Sequence, residues 1–312
     1  MKFMIRMLRH MLPYRIYYGL FESYGEYKLL KFQYDQISKN CRHIAGMMLA
    51  GNFARQLEES SLDNALNRHE LSVFSQNGED GILMYIFARI GTTNKTFVEF
   101  GVEDGRECNS ANLAIHHGWN GLLMDGGERN VKDGVQYYNE MLGRRANDVS
   151  FIQAFITTEN INGLISREGI RGEIDLLSID IDGNDYWVWK AINVINPRVV
   201  VIEYNASYGS ERKLTIPYQA DFVWNSTSYP DLFYTGASLA CLNALAEEKG
   251  YKLVGCDSNG VNAFFVRADL LEGSMKPVSV QSAFFPHAIR SLRFGLEAQR
   301  RAVERFDLLE IS

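Results

Sequence analysis

Between Thr96 and Asn205 the sequence repeats one pattern that few folds can accommodate: a short apolar run ending in an acid or a glycine, followed by a helical stretch. The runs Thr96–Phe100, Gly121–Met124, Val149–Gln153, Leu176–Ile181 and Val199–Tyr204 are separated by helical segments at Asn112–His117, Val131–Leu142, Asn160–Glu168 and Tyr186–Ile192. Uninterrupted apolar runs such as Val199–Ile202 suit strands buried on both faces, as in a parallel sheet. Upstream, Ser75 is placed to cap a helix over Glu79–Ile90 that Gly91 ends. Downstream, a helix over Ala237–Lys249 precedes strands Tyr251–Cys256 and Ala263–Arg267, joined as a hairpin through Asp257–Gly260. A last helix is expected near Ser291–Phe306. The result is an α/β fold: a Rossmann-like, mostly parallel sheet with an antiparallel final strand and an N-terminal helical extension. Three parts are expected: the extension at 1–70, a central domain at 71–270, and a C-terminal tail with a peripheral helix at 271–312.

In such sheets ligands sit outside the carboxyl ends of the strands, where the strand order reverses. The residues at those ends are therefore the candidate site. The first run gives FVEFGVEDG, with Glu99, Gly101, Glu103 and Gly105 in a tight turn where glycine lets backbone approach a ligand. Neither a Gly-x-Gly-x-x-Gly nor a P-loop pattern is present, which disfavours a dinucleotide enzyme and that type of NTPase. The second run ends in Asp125-Gly126, 24 residues beyond Gly101, where an acid can accept from both ribose hydroxyls. The fourth ends in IDIDGND, giving Asp180 and Asp182, with Asp185 read as a helix-start charge. The fifth gives Glu203 and Asn205. Carboxylates so crowded must be protonated, hydrogen-bonded or bridged by a hard cation. Asp180, Asp182, Glu203 and Asn205 are thus candidate ligands for Mg²⁺ or Mn²⁺, and His287 in FFPH is a candidate base.

The blocks SQNGEDGIL, FVEFGVEDG, LLMDG, LLSIDIDGNDYWVWKAI, VVVIEYN, GASLACLNALAEEKGY and GVNAFFVR run from Phe74 to Leu270. In order and spacing they resemble the FkbM-type family of class I S-adenosylmethionine-dependent methyltransferases. The resemblance implies S-adenosylmethionine as methyl donor and O-methylation of a hydroxyl on a sugar, glycan or secondary metabolite. It implies that Glu99, Gly101 and Gly105 line the methionine part of the donor, that Asp125 holds the ribose, and that Asp180 lies near the donor sulfur, with Gln76 approaching the same pocket. Asp180-Ile-Asp182-Gly183-Asn184-Asp185 stands where the family often has D-x-E-G-x-E, and Asp125-Gly126 where it often has Glu-Pro. Asp180, Glu203 and Asn205 also resemble the metal-holding set of catechol O-methyltransferases. Asp182, alone or with a cation, is the candidate activator of the acceptor hydroxyl, and the aromatic-rich segment Ser207–Tyr234 the candidate acceptor lid. The rival readings are a methyltransferase acting on a phenol or peptide, and a non-catalytic nucleoside-binding or glycan-assembly protein.

Charge and cysteine content narrow the partners. The chain carries 32 Lys and Arg against 38 Asp and Glu, a net of −6, which disfavours a nucleic-acid binder. Residues 1–50 nevertheless hold a net of +5. Residues 1–20 interleave apolar and basic residues, giving no signal-peptide core and no spanning run. Two readings stay open there: packing on the main domain or on a second copy, or contact with an anionic membrane surface. The expected location is cytoplasmic, peripheral at the inner face of the membrane under the second reading. Cys41, Cys108, Cys241 and Cys256 are too scattered for a local zinc cage and read as reduced thiols.

Overall fold

The computed structural model describes residues 66–224, 227–228 and 230–312. The chain divides into two units at Met48/Leu49, and all described residues belong to the second. Most of the expected N-terminal extension, the basic segment 1–20 and Cys41 therefore lie outside the described residues.

Helix α1 (Glu79–Ile90) leads into β1 (Thr96–Phe100), α2 (Ala111–His117), β2 (Asn120–Asp125), α3 (Glu128–Leu142), β3 (Val149–Gln153), α4 (Ile161–Arg167) and β4 (Gly172–Ile179). Then come α5 (Asp185–Ala191), β5 (Ile195–Glu203), the short β6 (Leu214–Thr215), α6 (Leu239–Glu248), β7 (Tyr251–Cys256) and β8 (Asn262–Arg267). The chain closes with α7 (Val280–Ala283), α8 (Ala288–Phe294), α9 (Leu296–Val303) and β9 (Leu309–Glu310). Seven strands form one sheet in the order β3-β2-β1-β4-β5-β8-β7. Strands β1 to β5 are parallel, and β8 runs antiparallel to both β5 and β7. This is the expected Rossmann-like layout, and the strand order reverses between β1 and β4.

Strand periodicity explains why the runs are apolar throughout. Val98, Phe100, Leu122, Met124, Leu177, Ile179, Val200 and Ile202 pack in one core with Trp189 of α5 and Leu242 of α6. Residues of the other parity, such as Phe97, Leu123, Leu176 and Val201, are equally buried, so both faces are covered.

Several element ends differ from expectation, β5 for example beginning at Ile195 and not at Val199. β4 begins at Gly172, four residues before its apolar run, because its polar start pairs with β5 (Gly172↔Ile195). Helix α1 is capped by Gly78 in the left-handed region, not by Ser75, whose hydroxyl instead accepts from Asp80 N (3.0 Å). The expected single helix over 291–306 is two, broken at Gly295, where φ is +76°.

At the amino-terminal edge of the sheet, fully buried Asp175 accepts from the backbone N–H of Thr93 (2.9 Å), Asn94 (2.9 Å) and Lys95 (2.6 Å) and pairs with Arg198 at 3.2 Å. Replacing Asp175 by Asn turns a donor toward one of these N–H groups and leaves Arg198 without its counter-charge. The expected loss is about 2–3 kcal/mol in urea unfolding. Ligand binding at the opposite edge should be unchanged.

Candidate functional site

The carboxyl ends of β1, β4 and β5 open onto a cleft of about 740 Å³, within the usual range for small-molecule sites. Its shape follows from the closeness of β1 and β4. A Cβ at Gly101 would lie 1.4 Å from the carbonyl oxygen of Asp180, and φ there is +77°, so only glycine lets the two loops leave the sheet side by side. After Asp180 the chain folds back with Asp182 at φ +55°. That strained turn is held by Asp185, whose two oxygens accept from Ile181 N and Gly183 N, both at 2.8 Å. The fully buried Asp185 thus fastens the loop that presents Asp180 and Asp182, a larger part than a helix-start charge.

On the β1 side, Glu99 accepts from Asn109 N (2.8 Å), Ser110 N (2.8 Å) and the Ser178 hydroxyl (3.0 Å). Its carboxylate borders the cleft while bracing the entry to α2. Glu103, at φ +51°, donates its backbone N–H to Asp125 at 2.9 Å. Asp125 also accepts from Gly127 N (2.8 Å) and Asn130 (3.0 Å), so it ties the loop after β1 to the start of α3.

Gln76, Glu99, Gly101, Glu103, Asp180, Asp182, Glu203 and His287 all line the cleft. Four expected residues are not among its lining. Asp125 stands behind Glu103. Gly126 faces the exposed ring of Phe155, and Gly105 packs against Tyr138 and Phe151. Asn205 is turned away from the carboxylates. Strand β5 ends at Glu203, and Asn205 caps the following 3-10 turn by accepting from Ser207 N (3.0 Å). Its amide nitrogen donates to Phe233 O and Thr235 O, both at 2.8 Å, and its oxygen also accepts from Arg290 at 3.2 Å. Every hydrogen-bonding group of Asn205 is committed, which leaves it out of the expected metal set.

Asp180, Asp182 and Glu203 can each bring a carboxylate oxygen to within 4.8 Å of the others. Asp180 and Glu203 are half-buried, and Asp182 is exposed at the cleft surface. Burial, then the charges of Glu203, Asp182, Asp185 and Glu99, pushes Asp180 well above the usual carboxylate range. Burial and Asp185 raise Asp182 to about 6. Burial raises Glu203 to about 8, with Arg290 opposing and Asp182 and Asp185 adding to the shift. Three carboxylates are the hard oxygen donors that a divalent cation such as Mg²⁺ or Mn²⁺ takes.

His287 borders the cleft as the cap of α8, its Nδ1 accepting from Arg290 N at 3.4 Å. Burial, then Arg290, lowers its pKa to about 4, so the ring is neutral at pH 7. While Nδ1 accepts at the cap, the neutral ring carries its proton on Nε2.

Sequence reasoning missed two contributors. Arg290 supplies the positive charge beside Asp182 and Glu203. The hairpin tip Asn259–Asn262 forms part of the lining and is anchored by Asn262 donating to Glu79 (2.7 Å) and Asn259 to Asn77 (3.2 Å). The segment read as an acceptor lid touches the loop after Asp182 through Phe222, packed over Gly183, and through Gln219 O, which accepts from Asn184 at 2.7 Å, but none of its described residues lines the cleft. Tyr208 of that segment is instead buried. Tyr229 lies outside the described residues.

No family model and no curated protein matches the sequence. Several solved structures are similar in fold. The N-terminal domain of EvdMO1 with SAH bound shares 15% identity, with 62% of this chain and 80% of that one covered and a TM-score of 0.39. A S-adenosylmethionine-dependent methyltransferase from Clostridium acetobutylicum ATCC 824 shares 11% over 61% and 92%, with a TM-score of 0.39. Magnesium protoporphyrin IX methyltransferase (ChlM) from Synechocystis PCC 6803 with bound SAM shares 12% over 70% and 91%, with a TM-score of 0.39. The cleft, not these likenesses, carries the functional reading.

Proposed function

We propose that the chain is a S-adenosylmethionine-dependent O-methyltransferase of the FkbM type, acting on a hydroxyl of a sugar or glycan. The observation that carries this is the cleft at the β1/β4 reversal: Gly101 brings two loops together there, and carboxylates dominate its lining. A sulfonium donor is a cation, and an acidic, partly desolvated cleft favours it electrostatically. S-adenosylmethionine, when bound, supplies an electrophilic methyl group.

Glu99 and Asp180 border the sulfonium region in this reading, and Gln76 and Glu103 the flanks. Asp125 acts on the ribose side chiefly by fixing the backbone of Glu103. In this reading Asp182 takes the acceptor proton. It sits on the cleft surface with its carboxyl raised to about 6, close enough to neutral pH for general-base work. Asp180, Asp182 and Glu203 are the residues that would hold a divalent cation, which would lower the pKa of a bound hydroxyl. The rest of the catalytic effect is alignment of donor and acceptor, commonly about 7–11 kcal/mol in such bimolecular reactions. The sugar preference rests on the FkbM resemblance.

Calorimetry with S-adenosylmethionine, with and without Mg²⁺, tests the donor site. Micromolar binding is expected. Asp125→Asn should weaken it about tenfold, because one of three donors now meets an amide nitrogen. No binding under either condition would remove the methyltransferase reading.

A further inference from the structure

Helix α8 leaves large apolar side chains on its outer face, where a surface helix ordinarily carries polar ones. Toward the protein it turns Arg290, which reaches Asn205 at 3.2 Å, and Phe294, whose ring meets Phe233 edge-on at 5.3 Å between centroids. Toward solvent it turns Ile289, 71% exposed, and Leu292, 91% exposed, one helical turn apart. Leu296, just past the break at Gly295, is 49% exposed. The exposed apolar residues adjoin the cleft, since Ala288 and Ile289 are part of its lining. Val223, 75% exposed, follows Phe222, which packs over Gly183 beside Asp182. On the α8 side, apolar side chains thus stand in solvent next to an acidic cleft.

The charge around the helix identifies the occupant. Residues 288–306 carry five Arg and two Glu, a net of +3 in a chain whose net charge is −6. Arg293 and Arg300 are exposed, and Glu297 is paired with Arg301 at 2.9 Å. Exposed Ile and Leu beside arginines match an anionic lipid surface, where the apolar side chains enter the headgroup boundary and the guanidinium groups meet lipid phosphates. We propose that the outward face of α8, through Ile289, Leu292 and Arg293, docks on an anionic bilayer and sets the mouth of the cleft at the membrane surface. This contact is distinct from residues 1–20 and independent of the methyl donor. Combined with the methyltransferase reading, it names the acceptor class as a hydroxyl carried at a membrane surface, such as a glycan on a lipid.

Co-sedimentation of the full chain with phosphatidylcholine vesicles, with and without phosphatidylglycerol, is the test. Binding is expected only to the anionic vesicles. Leu292→Asp should weaken it about tenfold or more, and Arg293→Gln about fivefold. Leu292 is almost wholly exposed and outside the cleft, so Leu292→Asp should keep the wild-type melting temperature and donor affinity. Wild-type chain that ignores anionic vesicles, or Leu292→Asp that still binds them fully, overturns the proposal. So does light scattering in which Leu292→Asp dissociates a dimer while vesicle binding is unchanged, because the face would then belong to a second copy. A chain that binds vesicles but not S-adenosylmethionine keeps this inference and removes the methyltransferase reading.

Discussion

Gly101→Ala is expected to cost about 4 kcal/mol or more of folding stability and to abolish donor binding. Two independent penalties meet at this position. The φ of +77° lies where an alanine is strained by about 1–3 kcal/mol. The new methyl would also lie 1.4 Å from the Asp180 carbonyl oxygen, a backbone atom that no rotamer change can move. Relief requires β1 and β4 to part at their carboxyl ends, which strains the contact between Asp180 N and Phe100 O (3.3 Å) and shifts Asp182 and its turn. Urea unfolding measures the loss, and calorimetry on the surviving folded fraction measures binding. An alanine variant with wild-type stability and affinity would mean that the two loops are not held together as described. Gly169→Ala provides the contrast: φ there is +76°, yet no atom lies within 4 Å of the added Cβ, so only the smaller conformational penalty should appear.

The sequence disclosed most readily what depends on local pattern. Short apolar runs located all of β1 to β5, most of them ending in an acid or a glycine, and the switch from strand to helical spacing located the crossovers between them. Glu99, Gly101, Asp180, Asp182 and Glu203 could be picked out because a parallel sheet delivers every strand end to one edge. What escaped depends on contacts between distant segments or on where a strand stops. Asn205 is two residues beyond Glu203 and would share its face if β5 continued; the strand instead ends at Glu203, and the amide becomes a cap. Gly105 reads as a ligand turn, but Tyr138, donating to its carbonyl oxygen at 2.9 Å, reveals a packing position. Arg290 comes from the C-terminal segment, beyond the blocks that resemble a known family, and nothing local in FFPHAIR announces that its guanidinium will act on carboxylates 87 and 108 residues earlier.

Those carboxylates yield the second large effect. In metal-free buffer, stability is expected to fall as the pH rises from about 5 to about 8. Glu203, raised to about 8 by burial foremost, and Asp182, raised to about 6, stay protonated in the folded chain where the unfolded chain has already ionised. Over that window the unfolded chain binds fewer protons, so each step up in pH favours it until the folded acids ionise too. Glu203→Gln should flatten the decline and raise the melting temperature at pH 8. A divalent cation should act in the same direction by replacing the shared protons: at a hundredfold excess over its Kd, Mg²⁺ or Mn²⁺ contributes about 2.7 kcal/mol, or about 5–10 °C in melting temperature. Because protons compete for the same oxygens, that gain should be large at pH 8, small at pH 5 and lost in Asp180→Asn. Melting curves across pH, with chelator and with added cation, separate the alternatives. If the pH slope is present and neither cation moves it, the cluster is stabilised by protons alone, and Asp182 must take the acceptor proton unaided. If the cation restores stability at pH 8, Asp180, Asp182 and Glu203 form a metal-holding set of three carboxylates, with Asn205 serving the backbone behind them.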